Sequence, residues 1–221
     1  MTWTIPNILT VFRLVAAPGV PVMFLYFTRP YADWLALTLF IGAAVTDWID
    51  GYLARAWKQE SHFGAAMDPI ADKAMVVIAL IVITGYSGMN PWLILPATVI
   101  LFREVFVSGL REYLGDRSRL LKVTYLAKWK TTAQMVAIAI LFLGTGLDYL
   151  EGIHMQGMTA EAYARAVVQG TADPVRTCFS RDCGGVATVT GLVLIWVAAA
   201  LTLITGWDYF RKALPMLREP K

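Results

Sequence analysis

Six stretches of this chain are apolar over roughly the 20 residues that a helix needs to cross about 30 Å of hydrocarbon. They run from about Ile8 to Phe27, Trp34 to Ala54, Ile70 to Tyr86, Trp92 to Leu110, Thr132 to Leu147 and Val186 to Trp207. A chain built this way must satisfy every backbone polar group inside its own helices, because lipid offers no partner. Composition agrees: only 16% of the 221 residues are charged, against about a quarter in a soluble domain. The reading is an all-α integral membrane protein, and it excludes a soluble enzyme, a disordered chain and a coiled coil. A formal charge of +3 also speaks against a nucleic-acid partner.

The basic residues orient the helices. With the N-terminus in the cytoplasm, the inner connections and tail hold Arg55, Lys58, Arg111, Arg117, Arg119, Lys122, Lys128, Lys130, Arg211, Lys212, Arg218 and Lys221. The other side holds Arg29, Arg165, Arg176 and Arg181. That asymmetry predicts six spans with both termini inside. Met1 to Trp3 lacks the charged start of a signal peptide, so the first segment is expected to be retained. Residues 1–221 read as one membrane domain, with a long non-cytoplasmic loop over 148–185 between spans five and six. A short helix is expected there, from Met158 to Val168. Cys178 and Cys183 both lie in this loop, where a disulfide is chemically allowed and two free thiols are the alternative. A zinc site has little support, with His154 as the one further nitrogen ligand at hand.

The acids are the informative feature. Asp47 and Asp50 close span two, and Asp68 and Asp72 open span three. At 100° per residue, Asp47, Asp50, Gly51 and Ala54 share one helical face, and Asp68 and Asp72 share another. A short connection makes the two helices antiparallel neighbours, so all four carboxylates can converge. Four such anions repel one another unless protons or cations intervene, and intramembrane acids are functional candidates by default. An all-oxygen set selects magnesium or manganese before zinc, and two such ions suit displacement at phosphorus. Gly51 and Ala54 leave that face bare for a bulky ligand, and Arg55 adds a fork of donors for phosphate. Each residue alone has a plainer role. Asp68 before Pro69 is a good helix cap, and Arg55 a good snorkelling residue. Their conjunction on facing helices has no such explanation.

Written D-x2-D-G-x2-A-R-x8-G-x3-D-x3-D, from Asp47 to Asp72 through Gly64, the stretch resembles at all eight fixed positions the signature of the CDP-alcohol phosphotransferase family. The resemblance implies six helices around a polar cavity open to the cytoplasm, usually in a homodimer. It implies that Asp47, Asp50, Asp68 and Asp72 hold two divalent ions (Mg2+ or Mn2+), with Asp72 also the base for the incoming hydroxyl. Gly51, Ala54 and Arg55 would take the CDP moiety, and Ser61 a phosphate or ribose. The runs Ile5–Arg13, Arg103–Glu112 and Lys128–Met135 are similar to the bacterial branch of the family that uses glycerol 3-phosphate. That likeness implies CDP-diacylglycerol as donor, glycerol 3-phosphate as acceptor, CMP as leaving group and the bacterial inner membrane as location. The loop around Cys178 and Cys183 is not part of the shared pattern.

The residues outside the signature fit a phosphorylated acceptor. Arg103, Arg111, Lys128 and Lys130 stand toward the cytoplasmic ends of spans four and five, and a small dianion needs several cations. Arg103 and Arg111 fall on one face, and a buried Arg103 requires an anion, either Glu104 or the substrate phosphate. Headgroup anchoring is the plainer role for Lys128 and Lys130. Asn7, Thr10 and Arg13, near the same boundary, are candidates for the cytidine or diphosphate, with capping the alternative for Asn7 and Thr10. Lys73 balances charge beside Asp72. Inositol phosphate, serine or phosphatidylglycerol as acceptor keeps the same chemistry, and an ion-coupled transporter is the rival from another class. A transporter predicts acids near mid-membrane and broken helices, whereas these acids gather at one boundary.

Overall fold

The computed structural model describes residues 4–57, 61–115, 126–155, 159–169 and 185–218, and within helices the side chains of residues 48, 52–55 and 126–128 are among those left undescribed. The described residues are all helical or in short connections. In chain order the helices are α1 (Ile5–Tyr26), α2 (Tyr31–Ala56), α3 (His62–Tyr86), α4 (Pro91–Leu114), α5 (Leu126–Met155), α6 (Ala160–Val168) and α7 (Val186–Arg218). Five of them, α1, α2, α4, α5 and α7, contain a segment long and apolar enough to cross a membrane. The sixth long helix, α3, is apolar from Ala74 to Tyr86 but carries Asp68, Asp72 and Lys73 in its first half. The fold is thus all-helical, with five to six apolar helices compatible with a membrane protein.

Polarity is turned inside out relative to a water-soluble fold. Val15 is 64% exposed, Leu25 78%, Phe102 67% and Val105 73%, while Arg13, Asp33, Asp50 and Lys130 are buried. Exposed apolar surface on this scale is costly in water and at home in lipid. The shared core is built of small and branched side chains, among them Ala17 and Val20 of α1, Phe40 of α2, Ala79 and Leu80 of α3, Ile138 and Phe142 of α5 and Ile195 of α7. α5 packs most extensively on α7, α1 on α2 and α3, and α4 on α7.

Helix ends are where the structure departs from the apolar runs. α3 starts at His62, where Ser61 caps it by accepting from the Gly64 N–H at 3.0 Å. Asp68 therefore lies inside the helix, and the plainer reading of it as a cap does not apply. α5 begins at Leu126 and continues to Met155, so the first residues of the expected 148–185 loop are helical. The apolar run measures the hydrocarbon, not the helix, and a helix continues past it until its backbone groups find another partner. The expected short helix is present as α6. Cys178 and Cys183, with Arg117, Arg119 and Lys122, lie outside the described residues.

Candidate active site

The last turns of α2 and the first turns of α3 bring Asp47, Asp50, Asp68 and Asp72 together, as their spacing requires. What joins them is a residue of α1. The Arg13 guanidinium pairs with all four carboxylates: with Asp47, with Asp72 at 2.6 Å, and with Asp50 and Asp68 at 3.0 Å each. Arg13 is only 1% exposed, and so large a cation is buried only where anions meet it. One guanidinium against four carboxylates leaves a formal charge of −3 among the described residues. That excess in a partly desolvated place calls for further cations.

α1 meets this cluster with one polar face. Asn7, Thr10 and Arg13 recur every three residues and all are buried. Thr10 donates to the Pro6 carbonyl at 3.1 Å and to Asp68 at 2.7 Å. Asn7 accepts from the Ser61 hydroxyl at 2.5 Å, which ties the start of α1 to the cap of α3. Gly64 permits this approach: a Cβ there would stand 3.3 Å from both Asn7 Oδ1 and Ser61 Oγ. Gly51 and the backbones of Ala54 and Arg55 lie in the last turns of α2. The side chains of Ala54 and Arg55 are outside the described residues.

A second cluster has the opposite sign. Glu104 of α4 pairs with Lys130 of α5 and, at 3.1 Å, with Arg103. Lys73 donates to Ser108, whose hydroxyl in turn donates to the Glu104 carbonyl. Lys130 is buried and does not merely anchor a helix end. Arg103 lies over Gly206 of α7, where a Cβ would come within 2.9 Å of its Cγ. Arg111 is exposed and stacks on the Tyr209 ring at 5.3 Å. Arg103 and Arg111 thus share the α7-facing side of α4, while only Arg103 joins Glu104. The side chain of Lys128 is outside the described residues.

The sequence reading missed the central place of Arg13 and the part of Lys73 and Ser108. For Arg13 a signal existed: three polar residues at helical spacing in the first apolar helix. Nothing in one helix, however, says which neighbour its polar face meets.

Four carboxylates are the right donors for hard divalent cations. Among the described residues no three acidic, His or Cys side chains gather into a metal-holding group; Arg13 stands between the oxygens that would form one. The donor set therefore fits Mg2+ or Mn2+ in chemistry and in charge, with the guanidinium in the contested place.

Comparison with known proteins gives the family. The model of the CDP-alcohol phosphatidyltransferase family matches residues 3–209. A protein of Cereibacter sphaeroides named CDP-diacylglycerol--glycerol-3-phosphate 3-phosphatidyltransferase is 76% identical over 221 residues, the full length of both chains. Proteins of the same name from Haemophilus influenzae and Escherichia coli K12 are each 44% identical. They align over 62% and 64% of this chain and over 75% and 78% of their own lengths. With its signature acids gathered on α2 and α3, the chain belongs to the CDP-alcohol phosphatidyltransferase family.

Proposed function

We propose that this protein transfers the phosphatidyl group of CDP-diacylglycerol to glycerol 3-phosphate, giving phosphatidylglycerophosphate and CMP. The observation that carries the reading is the placement of two adjacent residues of α3. Asp72 faces the carboxylate cluster, and Lys73 reaches Ser108 beside Glu104, Arg103 and Lys130. A base and a group of cations suited to a phosphorylated alcohol thus stand side by side. The 76% identity to a full-length relative of that name supports the same donor and acceptor.

Two divalent ions, Mg2+ or Mn2+, held by Asp47, Asp50, Asp68 and Asp72, would offset charge on the diphosphate and on departing CMP. Asp72 accepts the proton of the glycerol 1-hydroxyl as its oxygen bonds to the lipid-side phosphorus. The bond from that phosphorus to the bridging oxygen breaks, and CMP leaves with the electron pair. Lys130 and Arg103, with Arg111 and Lys128 nearer the helix ends, bind the acceptor phosphate. Glu104 holds the first two in place until it arrives. Gly51, Ala54 and Arg55 take the CDP moiety, with Asn7, Thr10 and Ser61 bordering it. Preorganised charge supplies most of the rate enhancement.

The same reading places six spans around a cavity open to the cytoplasm of a bacterial inner membrane, with both termini inside and two copies in a dimer. The basic residues at the α4 and α5 ends next to the site support that orientation. An acceptor panel with labelled CDP-diacylglycerol tests the assignment. Glycerol 3-phosphate should release CMP, whereas serine, inositol phosphate and phosphatidylglycerol should not. Equal turnover with an unphosphorylated acceptor would contradict it.

A further inference from the structure

We propose that Arg13 is a built-in counter-ion that competes with divalent cations for the oxygens of Asp47, Asp50, Asp68 and Asp72, and so sets how tightly the site takes metal. The proposal rests on the reading that these aspartates hold metal ions, and goes beyond it by assigning a residue outside the signature.

The geometry sets the two kinds of cation in competition. Nη1 of Arg13 donates to Asp47 and Asp72, and Nη2 to Asp50 and Asp68. One guanidinium engages one oxygen of each of the four carboxylates, so an ion bound among them must share those carboxylates with Arg13. A divalent ion and a guanidinium on one carboxylate repel each other at short range. Arg13 cannot simply move out to water, because its side chain is 2% exposed. Its hold is also incomplete. Nε is buried without a hydrogen-bond partner among the described residues, an unmet donor that weakens the guanidinium as an occupant. Three of the aspartates are more open: Asp47, Asp68 and Asp72 side chains are 47%, 43% and 48% exposed, while Asp50 is buried. An ion can therefore reach the oxygens from outside while Arg13 holds them from within.

Arginine suits this task better than lysine. A planar fork spans several carboxylates at once, and an ammonium is a single point of charge. It neutralises the repulsion enough for α1, α2 and α3 to close, yet leaves the excess negative charge that draws metal.

Manganese binding by the purified full-length protein, followed by the electron paramagnetic resonance of free Mn2+ without substrate, tests this. Arg13→Gln should bind Mn2+ on the order of tenfold more tightly than the native protein, since a competing charge at contact distance is gone. Arg13→Lys, which keeps the charge but not the fork, should fall between the two. It also carries the test if the glutamine variant does not fold. Thermal melting supplies a second readout: Arg13→Gln should melt below the native protein in EDTA, with the gap closing in Mn2+. Unchanged or weaker Mn2+ affinity, or a melting gap that metal leaves untouched, would overturn the competition while leaving the metal site standing. A native protein that takes up no Mn2+ would instead remove the metal reading, and this proposal with it.

Discussion

The molecule holds an ion-paired arginine at each end of its bundle, Arg13 buried and Arg29 partly so, and the two are set in opposite ways. At the α1–α2 turn, Arg29 meets Asp33 fork to fork, Nε at 2.8 Å and Nη2 at 2.7 Å. It donates further to the Thr145 carbonyl at 2.9 Å and lies 4.6 Å and 5.4 Å from the ring centres of Tyr149 and Tyr86. The cation faces a carboxylate fork to fork, and aromatic faces lie against it. At the α2–α3 end, Arg13 meets four carboxylates and satisfies none of them fully. A matched pair of this kind holds helices together. A cluster left with surplus charge costs stability and must be kept for what it binds. Charge balance separates the two ends.

That contrast is open to attack at both ends. The largest change in activity should come from Asp72→Asn, which keeps the shape and removes the base. CMP release should fall on the order of 10³-fold while the melting temperature holds or rises, because one repelling charge is gone. Near-normal turnover would remove Asp72 from the role of base. A middle-sized effect is expected from Lys130→Met. The KM for glycerol 3-phosphate should rise roughly tenfold or more, the loss expected for one charge-assisted contact, with the KM for CDP-diacylglycerol unchanged. Equal rises in both would mark Lys130 as structural. The smallest effect on turnover, and the largest on stability, belongs to Asp33→Asn. Breaking one side of a buried pair costs about 3 kcal/mol, yet activity per folded molecule should stay within about twofold of native, since Asp33 lies at the far end. A large loss of turnover in still-folded protein would break the distinction between the two ends.

Much of the candidate site was readable from spacing. Intervals of three and four residues put Asp47 with Asp50 and Asp68 with Asp72 on single faces, and a short connection made the two faces neighbours. The cost of burying a lone cation called for an anion at Arg103 and left Glu104 and the substrate phosphate as alternatives; the structure pairs it with Glu104. Arg13 was harder. It is 34 residues from Asp47 and 59 from Asp72, and the way α1 turns its polar face depends on packing that periodicity along one helix does not encode. The Arg29–Asp33 pair lay at the favourable i,i+4 interval, but counting Arg29 only as a marker of sidedness hid it. Helix ends were misjudged at α3 and α5 for a single reason. Apolar runs stop where lipid stops, whereas Ser61 and the polar residues before Met155 let the helices run on.

The most direct test of the account is CMP release from CDP-diacylglycerol by the purified protein with glycerol 3-phosphate, first stripped with EDTA and then given Mg2+ or Mn2+. The surplus negative charge around Arg13 predicts no release in EDTA and recovery on adding either ion. Release that persists after complete metal removal would contradict it.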